Sequence, residues 1–346
     1  MCPSRRLVRI ALSGQLFQFD PLCCNGYPCL RIPFSCSRRN DMKLTGLHLL
    51  MTYKCTLECD HCFVWGSPWQ GGTMTLQNIL EILRQGKDLG TVKSIYFEGG
   101  EPFLYYAVLL KGVQEAVEMG FRVGVVSNGY WATDENDALE CLRPFAGLLQ
   151  DLSVSSDLYH YTEKLSQQAQ NASAAAKKLG IPTWIFTIAQ PEDMNVAATG
   201  GSLPAGEYDV CYRGRAAEIL VERAALRPWD QFTECTTEDL REPGRVHVDP
   251  FGNLHVCQGI SIGNLFGTPL KQICETYDPD AHPITGPLLA GGPVELIRRY
   301  GLPHREAYAD ACHMCYEARR ALRGRFPEIL GPDQMYGELK EVEEVA

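Results

Sequence analysis

The sequence predicts an α/β fold: a partial (β/α) barrel over residues 42–207, then a small cysteine-rich module over 208–325 containing a β-hairpin, and a tail over 326–346. Three observations predict it. Short apolar runs alternate with helix-period segments between residues 46 and 188, which implies repeated βαβ crossovers and a parallel sheet able to curl. A loop-rich bridge with Pro191, Gly200, Gly201, Pro204 and Gly206 follows, as expected of a module boundary. Beyond it, R-V-H-V-D-P-F-G-N-L-H-V-C at 245–257 reads as two alternating runs around a turn.

The elements follow in order. Residues 46–52 form the first apolar strand. Leu76, Ile79, Leu80 and Leu83 then mark one face of a helix that Thr75 can cap. A strand at 94–97, a helix over 104–119 closed by Gly120, a strand at 121–126 and a short helix over 133–142 come next. A strand at 152–155, an Ala-rich helix over 162–179 closed by Gly180 and a strand at 183–188 complete the series. In such sheets chemistry collects at the carboxyl ends of the strands. Residues 1–41 lack a sustained period and hold Cys2, Cys23, Cys24, Cys29 and Cys36. They read as a disordered extension, or as sequence from upstream of the true start. The apolar run after Arg5, Arg6 and Arg9 is broken by polar residues, unlike a secretory signal.

Composition narrows the function classes. The 346 residues are 45% hydrophobic and 21% charged with a formal charge of −10, which offers no electrostatic footprint for nucleic acid or an anionic membrane. The longest lipid-like stretch, 103–110, stops at Lys111, far short of the ~20 residues that span a bilayer. A soluble, cytoplasmic protein is expected. Its 15 cysteines must be read from their spacing.

Cys55, Cys59 and Cys62 lie within eight residues on the loop after the first strand. Three soft thiolates so placed suit zinc, with His61 as a fourth ligand, or an iron-sulfur cluster. Together with Gly99-Gly100-Glu101-Pro102 after the second strand, this C-x3-C-x2-C resembles the radical S-adenosylmethionine (SAM) superfamily. The resemblance implies a partial barrel of radical SAM type and a 4Fe-4S cluster held by three cysteines. The open iron would chelate the amino and carboxylate groups of SAM, which one electron cleaves to methionine and a 5'-deoxyadenosyl radical that abstracts a substrate hydrogen. An electron donor such as flavodoxin or ferredoxin is implied as partner. Gly99 and Gly100 would let backbone carbonyls approach the ligand, and Glu101 and Pro102 would fix the turn and add an acceptor for the SAM ammonium. His61 sits where the family usually has an aromatic residue beside the adenine. Ser127 and Asn128 after the next strand, and Ser155 and Asp157 after the one following, would by resemblance meet the ribose and carboxylate of SAM. Each of these can equally be a turn or helix cap.

Cys235, Cys257, Cys312 and Cys315 form a second spaced set, resembling the auxiliary-cluster extensions called SPASM with two clusters and twitch with one. Tyr212-Arg-Gly-Arg-Ala216 and Ile262-Gly-Asn-Leu265 are similar to segments of that extension. Two fully ligated clusters want about eight cysteines, and only Cys211, Cys235, Cys257, Cys274, Cys312 and Cys315 follow the barrel. One auxiliary 4Fe-4S cluster is therefore expected, with Cys211 and Cys274 as reserve ligands and a four-cysteine zinc site as the alternative. The expected function is a radical SAM oxidoreductase that modifies a peptide, in the manner of maturases of ribosomally made peptides. The alternatives are small-molecule dehydrogenation, sulfatase-maturase-like oxidation and, from another class, a zinc-stabilised interaction protein. No substrate-side acid or base is named by the sequence.

Overall fold

The computed structural model describes residues 8–12, 15–19, 42–198, 203 and 206–338, and the chain divides into two compact units, Met1–Asn40 and Asp41–Ala346. In the first, β1 (Val8–Leu12) and β2 (Gln15–Phe19) pair antiparallel, with Val8 opposite Phe19. This hairpin departs from the expectation of a disordered segment; five residues per strand are too short a pattern to stand out. The five early cysteines lie outside the described residues. Among the described residues the core of the second unit starts at Met42. A chain beginning there is expected to keep its solubility, metal content and melting temperature, as thermal unfolding and elemental analysis would show. Loss of bound metal on truncation would make one of the early cysteines a ligand.

The second unit opens with β3 (Gly46–Leu50), α1 (Leu76–Leu89), β4 (Ser94–Glu98), α2 (Tyr106–Glu118), β5 (Arg122–Ser127) and α3 (Glu135–Leu142). It continues through β6 (Asp151–Ser155), α4 (Gln167–Lys178), β7 (Thr183–Ile188), α5 (Pro191–Ala198), β8 (Glu207–Tyr208), α6 (Ala216–Ile219) and β9 (Arg227–Pro228). The last elements are β10 (Arg245–Val248), β11 (Asn253–Cys257), β12 (Ile260–Asn264), α7 (Leu270–Thr276), α8 (Thr285–Tyr300), β13 (Ala307–Tyr308) and α9 (Ala311–Leu322). Strands β3 to β8 run parallel in chain order. Thr75 caps α1 in a reciprocal box with Asn78, and Gly90 closes it at φ 77°, the left-handed conformation that glycine adopts without strain. The Ala-rich helix starts at Gln167, later than expected, because the Asp157 carboxylate accepts from the backbone N–H groups of Tyr159 and His160 and turns the chain, leaving Ser166 as cap.

Alternation sorts the strands into two faces. Leu47, Leu49, Ile95, Phe97, Val123, Val125, Leu152 and Val154 are buried on one. A Cβ at Gly112 of α2 would lie 3.0 Å from the Phe97 ring, and one at Gly86 of α1 3.3 Å from Leu47, so this face packs on the helices. His48, Tyr96, Glu98, Ser153 and Ser155 are half-buried on the other, inner face. Beyond β3 the sheet continues: β10 pairs with it in parallel, Val246 opposite Leu47, and β11 and β12 follow antiparallel, giving nine strands in the order β12-β11-β10-β3-β4-β5-β6-β7-β8. The expected hairpin exists, but it extends the barrel sheet, so the anticipated division between 207 and 208 is no physical break. Within the expected tail, residues 326–338 are packed. Leu330, Met335 and Tyr336 are buried, and the Tyr336 hydroxyl donates to the Gly259 carbonyl at 2.9 Å. Among the described residues no helix is long and apolar enough to cross a membrane.

Candidate metal centres

Strand β3 delivers the chain into the first cysteine loop at the carboxyl end of the sheet. The Cys55 N–H donates to the Ser67 carbonyl at 2.9 Å, the Cys62 N–H to Cys59 at 3.0 Å and the Gly66 N–H to Cys62 Sγ at 3.2 Å. A Cβ at Gly66 would lie 3.4 Å from Cys55 Cβ and 3.5 Å from Cys62 Sγ, so the first and third cysteines converge on that glycine. Burial pushes the Cys55 thiol up to about 12, and the charges that Glu101 and Cys62 would carry add to the shift. Burial raises Cys59 too, reinforced by Cys62 and Cys55. Three mutually repelling thiolates, two of them buried, are stable together only around a soft cation, and that chemistry fits an iron-sulfur cluster. Asn128 Nδ2 donates toward Cys55 Sγ at 3.5 Å and to Thr56 Oγ1 at 3.0 Å, orienting the first thiol from β5.

The Gly99–Pro102 segment follows β4 and clasps the loop that carries these cysteines. Gly100 N–H donates to the Thr52 carbonyl at 2.6 Å and Glu101 N–H to Lys54 at 2.9 Å. A Cβ at Gly99, whose φ is 149°, would lie 2.5 Å from the Thr52 carbonyl oxygen, and one at Gly100 would overlap that of Lys54. The glycines therefore serve close approach of the chain to itself, just ahead of Cys55. Pro102 is buried at the start of a short 3-10 turn over 102–105. Glu101 is fully buried. Its carboxylate accepts from Phe103 N–H at 2.9 Å, from the Ser127 hydroxyl at 3.0 Å and from Asn128 N–H at 2.8 Å. Burial raises its pKa to about 7 against these donors. The Ser127 hydroxyl also reaches the second oxygen at 3.1 Å, so about four acceptor positions are engaged and an ammonium group would have to displace one of these donors.

The remaining expected cofactor contacts are unevenly available. Ser127 is committed to Glu101 and accepts from Gly129 N–H at 3.0 Å and Trp131 Nε1 at 2.9 Å. Asp157 accepts from Tyr159 N–H, His160 N–H, His160 Nδ1, Ile188 N–H and His61 Nε2, at 2.7–3.3 Å. With both oxygens used, Asp157 has the geometry of the turn-forming alternative. His61 faces Asp157 and meets the Tyr159 ring edge-on at 4.7 Å, turned to that carboxylate as its partner. Ser155 ends β6 half-buried on the inner face.

The second cysteine set meets in one place. Cys235, Cys257, Cys312 and Cys315 line a single small cavity together with Arg213 and Arg319. The end of β11 and the first turn of α9 supply three of the four thiols. Cys274 is buried in the apolar core on α7 and does not line the cavity. Cys211 lies beside it, its pKa lowered by a hydrogen bond with the Cys312 thiol. The segment Tyr212-Arg-Gly-Arg-Ala216 is singled out by its resemblance, which assigns its two arginines no role. Arg215 is buried, and its guanidinium donates to the Cys59 carbonyl at 2.7 Å and to Gly66 at 2.8 Å; charge-assisted bonds of this kind contribute about 1.5–3 kcal/mol each. Arg213 reaches the other way, to Glu238 at 3.1 Å and Cys257 Sγ at 3.7 Å. One short segment thus braces both thiol sites. Two arginines flanking a glycine were the available signal, since Gly214 at φ 60° packs on the carbonyls of Cys62 and Phe63.

The sequence profile of the Radical SAM superfamily matches residues 49–195. A Bacillus subtilis (strain 168) protein named for peptide biosynthesis, YydG, is 27% identical over 126 residues, 36% of this chain and 40% of that protein. The tungsten-containing aldehyde ferredoxin oxidoreductase cofactor-modifying protein of Pyrococcus furiosus is 30% identical over 127 residues, 36% of this chain and 32% of that one. The alignments thus span well under half the length of these relatives. Among solved structures, Streptococcus suis SuiB bound to S-adenosylmethionine is 14% identical, covering 70% of this chain and 68% of that one at a TM-score of 0.46.

Proposed function

We propose, for a chain whose residues 49–195 form a radical SAM domain, that the protein reductively cleaves S-adenosylmethionine and modifies a peptide by hydrogen abstraction. The observation that carries this reading is the clasp of Gly99–Pro102 on the cysteine loop, with Asn128 aimed at Cys55. Cys55, Cys59 and Cys62 hold a 4Fe-4S cluster with one iron open. When bound, the cluster supplies the electron that splits SAM into methionine and a 5'-deoxyadenosyl radical. The Glu101 carboxylate takes the SAM ammonium in exchange for one of its present donors, Ser155 faces the ribose and carboxylate, and Arg215 fixes the loop against movement. Cys235, Cys257, Cys312 and Cys315 hold one auxiliary 4Fe-4S cluster, and a flavodoxin or ferredoxin supplies electrons. A peptide substrate is supported by the B. subtilis relative's name. The P. furiosus relative, named for modifying a cofactor, favours the small-molecule alternative.

Anaerobic incubation with SAM, reductant and peptides encoded by neighbouring genes is expected to give 5'-deoxyadenosine and a mass change in one peptide. 5'-Deoxyadenosine formed only with a small alcohol or amine would move the substrate to the alternative. The auxiliary ligand set has its own test. Cys315→Ala should lower iron by about four per chain, while Cys211→Ala should leave it unchanged. Iron loss in Cys211→Ala would make that thiol a ligand.

A further inference from the structure

The inner face of the sheet carries a second kind of donor cluster, which shares no residue with either cysteine set. His247 of β10 stands opposite His48 of β3, and His48 opposite Tyr96 of β4, in one row across three strands. Glu98 lies two residues beyond Tyr96 on the same face and directly precedes Gly99. His48 Nδ1 is 3.1 Å from Glu98 Oε1, and His247 Nε2 is 3.0 Å from that same oxygen. The three side chains are 17%, 11% and 14% exposed for His48, His247 and Glu98.

We propose that His48, His247 and Glu98 form a third metal site, which takes one divalent transition cation of the zinc or ferrous class and leaves its remaining positions open to the barrel interior. Two donors bound to one such ion at about 2.1 Å, with angles between octahedral and tetrahedral, stand about 3.0–3.4 Å apart, and both observed separations fall in that interval. Two imidazoles and one carboxylate with open positions are a donor set used by zinc and ferrous enzymes. Both imidazoles converge on Oε1, while Oε2 takes no hydrogen bond among the described residues. The cluster of His61, Asp157 and His160 differs on this point, since five donors saturate the Asp157 carboxylate.

The ring positions are set in advance. Tyr96 stacks on His48 at 4.8 Å and 16°, and its hydroxyl is tied to Asp151 at 2.8 Å across Gly124, where a Cβ would overlap the Tyr96 ring. Phe63 leans on His247 at 5.6 Å, and the two imidazoles meet nearly edge-to-face at 5.3 Å and 71°. One carboxylate against a divalent ion leaves a net positive centre, so the ligand it would hold on the inner face is an anionic or carbonyl oxygen donor, such as a substrate carboxylate.

The test uses the full chain with its clusters reconstituted, zinc ion as the probe and a chromophoric chelator as competitor, at matched iron content. The parent is expected to bind one equivalent of zinc more than His247→Ala. Glu98→Gln, the same size and able to keep the packing, should weaken that equivalent by more than about a hundredfold, beyond the ten- to hundredfold range for losing an outer-sphere partner. Equal zinc uptake by the parent and Glu98→Gln would overturn the site and leave a hydrogen-bonded polar wall in its place. Because zinc uptake needs neither SAM nor turnover, this outcome is separate from the fate of the radical SAM reading.

Discussion

Replacing Cys55, Cys59 and Cys62 together by Ala removes about four irons per chain and abolishes SAM cleavage. The magnitude follows from the geometry of the loop. These thiols are the proposed cluster's only protein ligands, and His61, the fourth donor that the spacing allows, has its Nε2 turned to Asp157 at 3.3 Å. The fold should survive. Cys-to-Ala changes remove one sulfur each, and the loop stays anchored through backbone groups, Cys55 N–H to Ser67 and Arg215 to the carbonyls of Cys59 and Gly66. Elemental analysis, far-ultraviolet circular dichroism and chromatography of SAM products together check this. A folded triple variant that still produces 5'-deoxyadenosine would remove the cluster from this loop.

Gly100→Ala is the second large effect. The new methyl group would occupy the space of the Lys54 carbonyl oxygen, with Tyr53 O 2.9 Å away. Both are backbone atoms, so no side-chain rotation relieves the clash, and the cysteine loop must lift from β4. Hydrogen bonds from Gly100 to Thr52 and from Glu101 to Lys54 would break with it, at about 0.5–1.5 kcal/mol each. Destabilisation of several kcal/mol, poor iron retention and loss of SAM cleavage are expected. Gly71→Ala, where a Cβ meets nothing within 4 Å, serves as the control and should retain iron. Parental iron and melting temperature in Gly100→Ala would contradict the clasp.

The parts legible in the sequence were those written locally. Thr75 and Gly90 bound α1, alternation in S-I-Y-F-E marks β4, and three cysteines in eight residues mark a site. What escaped depends on long-range contacts. Pairing of β10 with β3 joins residues 199 positions apart, Arg245 with Gly46, and no period in either segment encodes its neighbour. The commitment of Asp157 to the turn after β6 was one of two readings, and the sequence could not count its five donors. Nothing in Tyr212-Arg-Gly-Arg-Ala216 tells that Arg215 donates to the carbonyls of the cysteine loop, 156 and 149 residues away in the chain. The inner-face group escaped for the same reason: His48, Glu98 and His247 each sit singly in an alternating strand, and register alone brings them together.

The central claim, that this loop holds a redox-active cluster serving SAM, is tested most directly by incubating the anaerobically purified, dithionite-reduced full chain with SAM and measuring 5'-deoxyadenosine and methionine. The account predicts brown, iron-containing protein that yields both products in equal amounts, with the yield lost in the triple cysteine variant. Colourless protein carrying stoichiometric zinc in place of iron, with SAM left intact, would contradict it.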